Sequence, residues 1–513
     1  MSMTDADVFI VGAGPTGLML ASELRLAGIR TLVVERRRAV SDAAKAGGIN
    51  GHILEVVRHR ELGARLDAAA VAPRPGTGFP WGGIHVPFTA LEVPPMEALP
   101  LPQPDMERLM EAYVVELGGE VRRGYEVVGL EQDDEAVHLQ VVGPDGAERW
   151  EASYVVGCDG RRSSVRELLG VAFPGRSYPE TERMATVSRP AAITVLEDGS
   201  LDVAGHGPVP FGYTATEHGV FACAAHGPDL VGFYTSEDDP GAPDDDVPLT
   251  VEEMQASIRR VLGVDIPMGE PRRLTRFTYH ARQAERYRVG RAFLAGDAAH
   301  LFPAGGVALN AGMVDAVDLG WKLAAAVQGW APDDLLDTYE SERRLVAERT
   351  LLHTRAQVAL RRGHDEEADA LRTVLQELLS DGAAQRRLGE LMAATDLRYP
   401  EPAADDQPLV GRVVPDLALR VDGVATTVSE RMRAARPVLF DLADRPDLRA
   451  AADGWSDRVE VCTAATADRP ADAVLVRPDT QVAWVAGIDE PEGTAVAGLR
   501  QALGRWCGSP GPT

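Results

Sequence analysis

Apolar positions in this chain come in short blocks separated by glycine and proline. Val8-Phe9-Ile10-Val11 is a continuous apolar run of strand length. Gly12-Ala13-Gly14-Pro15-Thr16-Gly17 breaks it as a turn, and apolar positions from Leu18 to Leu26 then recur at helical spacing until Gly28. Thr31 to Glu35 reads as a second strand. Strand, helix and strand in that order make a βαβ unit with parallel strands. The pattern predicts a helix from Asp105 to Gly118, strands near Val121 and Val137, and a buried strand at Tyr154-Val155-Val156. A further buried strand, Ala292-Phe293-Leu294-Ala295, leads into the segment Gly296–Lys322. That segment reads as a strand end, a Pro/Gly turn and a long helix whose positive end points back at the turn.

Two stretches depart from this texture. Residues 76–100 are rich in Pro and Gly. Between about 176 and 275 the apolar blocks become short and strand-like, at Ala191 to Leu196, Val220 to Ala224 and Leu230 to Thr235. An acidic, Pro-rich loop follows (Ser236 to Pro248), and Thr250-Val251-Glu252-Glu253 reads as a capping box opening a helix to Leu262. This region is expected to be an inserted domain. Helices dominate from Gly312 to Leu397, Pro400 to Pro408 reads as a linker, and strands are expected at Val438 to Leu442, Val459 to Thr463, Val474 to Val476 and Val482 to Val485. The tail is therefore a third, small α/β domain.

Composition narrows the function. The 513 residues are 45% hydrophobic and 25% charged, which suits a multidomain globular protein. A net charge of -26 without a basic patch argues against a nucleic-acid partner. No apolar run approaches the length of a membrane helix, and the first residues carry no targeting pattern, so a soluble, cytoplasmic protein is expected. The four cysteines, Cys158, Cys223, Cys462 and Cys507, form no C-x-x-C and are expected to be buried.

Three motifs carry chemistry. Gly12-x-Gly14-x-x-Gly17 lies between strand and helix, and Glu35 ends the next strand. The glycines permit a tight turn, close approach to a pyrophosphate and close helix–strand packing, while the acid accepts ribose hydroxyls. Asp159-Gly160-Arg161-Arg162-Ser163-Ser164-Val165-Arg166 follows a buried strand and reads equally as a ligand segment or as a helix start capped by Asp159 or Ser163. In the third motif, Asp297 stands where a strand stops, and Pro303, Gly305 and Gly306 let backbone come close to a ligand.

Together the motifs resemble the single-component FAD-dependent aromatic hydroxylases, the para-hydroxybenzoate hydroxylase type, over about residues 1–400. The tail resembles the thioredoxin-like third domain of the larger members that act on bacterial aromatic polyketides. The resemblance implies an α/β fold: a Rossmann-like FAD-binding domain (1–75, 101–175 and 276–400), an inserted β-sheet substrate domain (76–100 and 176–275) and a thioredoxin-like domain (405–513). No cysteine pair follows the Val438 strand, so that last domain has no thiol redox chemistry.

By the same resemblance Gly12, Gly14, Pro15, Thr16 and Gly17 flank the FAD pyrophosphate. Glu35 holds the adenosine ribose, and Arg36 and Val127 lie near the adenine. Lys45 meets the phosphates and Gln103 stands near the flavin. Asp159 belongs to a segment shared by FAD and NADPH, Asp297 binds the ribityl chain, and Pro303, Gly305, Gly306, Ala308, Leu309 and Asn310 run along the isoalloxazine. NADPH supplies electrons, O2 supplies oxygen, and one oxygen atom passes to a bulky, mostly apolar small molecule. The protein is expected to be a monomer or a homodimer.

Two positions depart from the family pattern. Lys45 stands where many members have an arginine, which keeps the charge and loses bidentate hydrogen bonding. The turn Gly305-Gly306-Val307-Ala308-Leu309-Asn310 has alanine where the pattern Gly-Gly-x-Gly-x-Asn has glycine. If Ala308 needs a left-handed backbone, its Cβ costs roughly 1–2 kcal/mol; otherwise its methyl crowds the flavin. The resemblance therefore leaves three activities open: a monooxygenase (hydroxylase or Baeyer–Villiger type) tailoring a polyketide-like metabolite, an FAD-containing non-redox [4+2] cyclase, and a non-catalytic FAD protein. No catalytic base is evident. His206, His226, Tyr213 and Tyr234 are candidates in the inserted domain, and a structural role explains each of them better.

Overall fold

A computed structural model describes residues 6–41, 46–70, 74–75, 78–88, 91–196, 200–210, 212–225, 229–245, 247–303, 306–363, 365–400 and 407–511. Lys45, His226 and Gly305 lie outside these residues. The first sheet is built around Val8–Val11, which pairs in parallel with Thr31–Glu35 on one side and Tyr154–Gly157 on the other. Glu120–Arg123 and Ala292–Leu294 extend it in parallel, and the short strand Arg288–Val289 closes one edge in the antiparallel sense. Strands covered on both faces need apolar residues at every position, which is why they read as unbroken apolar runs. All four residues of Val8–Val11 are buried.

The helix Pro15–Leu26 packs on this sheet and against the long helix Ala308–Gln328. Their approach depends on glycine. A Cβ on Gly312 would sit 2.6 Å from Thr16 Oγ1, and one on Gly320 would sit 2.8 Å from the Glu23 Cβ. The glycine turn is thereby locked to the segment that follows Ala292–Leu294.

The middle region is a six-stranded sheet in the order Gly212–Thr216, Gly219–Ala225, Leu230–Asp238, Gly175–Ser188, Pro271–Gln283, His300–Leu301. Its last strand comes from the third motif, so the Gly296–Lys322 segment also forms the edge of the middle sheet. Burial alternates along the strands. Ala185, Val187, Phe221, Val231 and Phe233 form a core with Met254, Ile258 and Val261 of the helix Val251–Leu262. That helix starts where the capping box places it: Thr250 Oγ1 accepts the Glu253 amide at 3.2 Å. The opposite face carries Tyr234, Met184 and Phe277, which are only partly buried, and Tyr213, which is exposed. The strand Pro271–Gln283 carries the chain from this sheet back toward the first. Ile84, Val86 and Phe88, from the Pro/Gly-rich stretch, pack instead with Leu360, Leu388 and Met392 of the helices that follow residue 335.

The C-terminal sheet runs Glu460–Thr463, Val438–Asp441, Ala473–Val476, Val482–Ala486. A parallel βαβ unit is followed by an antiparallel hairpin and the helix Glu492–Cys507. Its seam with the first region combines apolar packing, Trp321 against Trp506, with a buried ionic cluster. Lys322 Nζ reaches Asp318 at 2.7 Å and Glu342 at 2.5 Å, and Arg477 holds Glu342 at 2.6 Å and also contacts Asp479. Asp318, Glu342 and Asp479 have the spacing of a metal site, yet Lys322 and Arg477 already supply two positive charges there. Burial works to raise the Glu342 pKa, but Arg477 and Lys322 outweigh it and hold it low. Burial pushes Asp318 well up. Two cations, Lys322 and Arg477, thus face the three carboxylates of Asp318, Glu342 and Asp479. Arg60, beside it, is bidentate to Glu23 at 2.9 Å and donates to the carbonyls of Met432 and Pro478.

Candidate cofactor site

Each glycine of the first motif does a different job. Gly12 has φ +108, and a Cβ there would lie 2.4 Å from the Cys158 carbonyl oxygen. A Cβ on Gly17 would lie 2.0 Å from the Gly12 carbonyl oxygen, so helix and turn touch through backbone. Gly14 is extended, and a Cβ there would meet nothing within 4 Å. The third glycine therefore closes the packing and the second leaves open space. The helix that starts at Pro15 has neither a side-chain cap nor an acidic residue in its first turn. Its end is thus available to an anion. Glu35 arches over this turn: its Oε2 accepts the Ala13 amide at 3.0 Å and its Oε1 the Arg37 amide at 2.8 Å. Arg36 is exposed beside it.

The second and third motifs are tied to each other. Ser163 caps the short helix Ser164–Leu168 by accepting the Arg166 amide at 3.0 Å, which decides between the two cap candidates. Asp159 Oδ2 accepts the Val165 amide at 3.2 Å, while its Oδ1 is buried without a partner among the described residues. Burial raises the Asp159 pKa. Arg166 then donates to Ala298 O at 2.9 Å, one residue past Asp297. Asp297 sits in the short 3-10 turn Gly296–Ala298. Asp315, completely buried, organises this turn: its Oδ2 accepts the Gly296 amide at 2.9 Å and contacts His300 Nε2 at 2.7 Å, and its Oδ1 accepts from Arg343 at 2.7 Å. Burial alone would raise the Asp315 pKa, but His300 and Arg343 outweigh it and hold it below the usual range.

The turn before the long helix is held from three sides. Asn310 donates to Gly306 O at 2.7 Å and to Asn50 Oδ1 at 2.9 Å, and its own Oδ1 accepts the Asn50 amide at 3.1 Å. Arg361 donates to Pro303 O at 3.0 Å. Ala308 is the first residue of the helix Ala308–Gln328 and does not have a positive φ. Of the two alternatives for Ala308, left-handed strain is therefore excluded, because a helical start suits alanine. Leu309 follows in the first turn, which has no acidic residue and no side-chain cap. Gln103 clamps the stretch after Lys45: its amide nitrogen and its Oε1 pair with Ala46, and its Nε2 donates to Glu107 at 2.7 Å. Val127 is buried in the antiparallel hairpin opposite Val141.

The residues present fit FAD on two independent observations. Gly14 leaves backbone-sized open space at an uncapped helix start, and Asp159 keeps a buried, unpartnered oxygen where the first two motifs meet. The sequence reading missed Asn50, Asp315, Arg343 and Arg361. Asn50, Arg343 and Arg361 lie far along the chain from the motif they support, and Asp315, within the third segment, sits on the long helix where its spacing gave no signal. Of the proposed bases, His206 is exposed on a turn of a small outlying sheet, whereas Tyr213 and Tyr234 meet edge to face with centroids 5.9 Å apart.

Comparison with known proteins agrees. The FAD binding domain family matches residues 5–354, and the family described as aromatic-ring hydroxylase, C-terminal, matches 407–510. A 12-dehydrotetracycline 5-monooxygenase/anhydrotetracycline 6-monooxygenase of Streptomyces rimosus is 42% identical, over 98% of this chain and 99% of its own. A dialkyldecalin synthase of Streptomyces rugosporus is 37% identical, over 98% of both chains. The solved structure of the anhydrotetracycline hydroxylase OxyS from Streptomyces rimosus superposes with a TM-score of 0.86 at 40% identity, covering 98% of this chain and 99% of that one. The glycine turn, the linked Asp159 and Asp297 segments and these matches place the chain in the FAD-dependent aromatic-ring hydroxylase family, with FAD as its cofactor.

Proposed function

We propose that the protein is an NADPH-using monooxygenase that tailors a polyketide-like ring system, with Gly12, Gly14 and Gly17 at the pyrophosphate, Glu35 at the ribose, Asp159 and Asp297 along the chain between, and Pro303 to Asn310 beside the flavin ring. The observation that carries this reading is the bridge made by Arg361. Its guanidinium donates to Pro303 O at 3.0 Å and to Tyr279 Oη at 3.4 Å, so the flavin turn faces the tyrosine-bearing side of the middle sheet. A flat, mostly apolar ligand suits a face of Tyr213, Tyr234, Met184 and Phe277.

When bound, FAD supplies electron transfer from a nicotinamide and the activation of O2. The chain's own residues bind and orient. The uncapped start of Ala308–Gln328 favours negative charge on the ring beside it. Asn50 and Asn310 fix the turn, and Asp315 fixes the segment carrying Asp297. The division into a discontinuous FAD domain, a middle substrate domain and a thioredoxin-like tail is part of this proposal. The βαβ and hairpin order of the C-terminal sheet supports the last of these.

The similarity to a dialkyldecalin synthase supports a second reading, a cyclase in which FAD only shapes the cavity. Anaerobic addition of NADPH with anhydrotetracycline as trial substrate, followed at the flavin visible band, separates the two. Bleaching followed by an O2-dependent oxygenated product is expected. Product formed with no bleaching, and equally well without O2, would refute the monooxygenase.

A further inference from the structure

A cavity of about 40 Å3 lies against the turn that precedes the long helix. Val307 and Val314, at the start of Ala308–Gln328, form one wall, and Val346 of Leu335–Arg362 forms the next. Met392 and Leu397 close it from the end of Gly382–Ala393 and the stretch after it, and Val413 closes it from the C-terminal unit. Asn50 and Asn310, which pin the turn, also line it. Helices from the first region and the C-terminal unit thus converge on the turn in which alanine replaces glycine.

The polar groups around the cavity are already engaged. Arg343 donates from Nε to Asp315 at 2.7 Å, and its other nitrogens donate to Tyr399 Oη at 2.8 Å and Ala311 O at 3.2 Å. Asn50 and Asn310 bond each other, and Thr350 donates to Val346 O at 2.8 Å. His52 Nε2 meets Thr480 Oγ1 at 3.3 Å. Burial, with Arg343 adding to it, pushes the His52 pKa down to about 4, so its ring is uncharged at neutral pH. Gln481 supplies one further amide. A buried water needs roughly two to four polar partners, and these engagements leave too few. An apolar occupant loses nothing by them. At ~10–15 Å3 per water-sized molecule, the cavity takes roughly three of them, and neither a nicotinamide nor a ring system fits.

We propose that this cavity is a holding site for dioxygen, from which O2 reaches the flavin ring past Val307 and Asn310. The proposal rests on the ring's place beside the Pro303–Asn310 turn given above. O2 is small and apolar, so its transfer from water to such a lining is favourable. The C-terminal unit then contributes without redox cysteines: through Val413 and Gln481 it walls the cavity behind the cofactor turn.

The test uses FAD-loaded protein reduced with a stoichiometric amount of dithionite, so it does not depend on NADPH. Mixing with O2 in the absence of an organic substrate returns oxidised FAD, and the two electrons and two protons leave as hydrogen peroxide. Regain of the visible band gives the rate. Crystals pressurised with xenon, an apolar probe of similar size, are expected to show it between Val314, Val346 and Met392. Xenon in solution should slow reoxidation at least about twofold relative to argon, because it competes for the same site. Val346→Phe and Met392→Trp, on separate helices, should each slow it at least about fivefold at equal FAD content, and Val346→Leu should slow it less. A cavity that stays empty under xenon would overturn the proposal, and so would equal rates under xenon and argon; neither result needs a variant to fold. Wild-type rates in both filled variants would overturn it too. NADPH-driven bleaching is followed in parallel. Its absence, with the xenon effect intact, removes the monooxygenase reading and leaves the dioxygen site.

Discussion

Adding one methyl group at Gly14 should separate cofactor binding from folding. Gly14 is extended at φ -82, so alanine fits its backbone, and its Cβ would meet no protein atom within 4 Å. Losing a glycine from the unfolded chain at such a site stabilises the folded apoprotein by about 0.4–1 kcal/mol. On the proposed site, the same methyl stands where the pyrophosphate would approach the helix start. If it displaces one charge-assisted backbone hydrogen bond, the loss is about 1.5–3 kcal/mol, or roughly 10- to 150-fold in FAD affinity. Gly17→Ala is the counter-case. Its Cβ would lie 2.0 Å from the Gly12 carbonyl oxygen, a backbone atom that cannot swing away. Overpacking of this kind costs about 1–3 kcal/mol or more, so its apoprotein should lose stability. Thermal unfolding of the deflavinated proteins and FAD titration by quenching of flavin fluorescence measure the two effects. Wild-type FAD affinity in Gly14→Ala, or a lower apoprotein midpoint for Gly14→Ala than for wild type, would refute the assignment of open space to the pyrophosphate.

Three other outcomes are expected. Arg60→Leu strands Glu23 in a site where both side chains are 1% exposed, and should lower stability by about 3–5 kcal/mol; the double variant with Glu23→Leu should recover much of that in thermal unfolding. The Glu182 pKa rises from 4.5 to about 7 in the fold, so its protonated form is the stabilising one. That contribution is complete below about pH 4.5 and is lost as pH rises through about 7, so Glu182→Gln should match wild type near pH 4.5 and exceed it by about 3 kcal/mol near pH 8.5, read as a pH-dependent difference in melting temperature. Ala308→Gly should cost less than about 1 kcal/mol at a helix start and leave the rate of flavin reduction by NADPH within about twofold of wild type; a large acceleration in stopped-flow absorbance would mean that the alanine methyl crowds the ring.

Much of the first sheet was legible because its strands are covered on both faces, and coverage writes itself as continuous apolar runs at Val8–Val11 and Tyr154–Gly157. The glycine turn was legible because backbone contact at Gly12 and Gly17 admits no other residue. The supports of the site were not. Asp315, Lys322, Glu342 and Arg343 lie on two long helices, where a charged residue normally signals the solvent face. Here each charge meets an opposite one from a distant segment, and pairing removes the link between charge and exposure. Glu182 escaped notice in the same way: an acid in a strand whose neighbours alternate reads as surface, until Tyr234 and Ser236 are seen across the ladder. The strand His300–Leu301 was hidden by its shortness, since two residues carry no period.

The ionic cluster at the seam also bears on how enzymes of this type can be recombined. Lys322 and Glu342 come from the helices Ala308–Gln328 and Leu335–Arg362, and Arg477 and Asp479 from the turn that joins two strands of the C-terminal sheet. A chimera joined between those units inherits half of the set from each parent. If the donor lacks an arginine at the Arg477 position, Glu342 and Asp479 lose a buried partner, and the cluster must take up a proton or open the seam. Swaps of the C-terminal unit should therefore succeed when charge parity across the junction is kept, and fail when it is not, however similar the two parents are elsewhere.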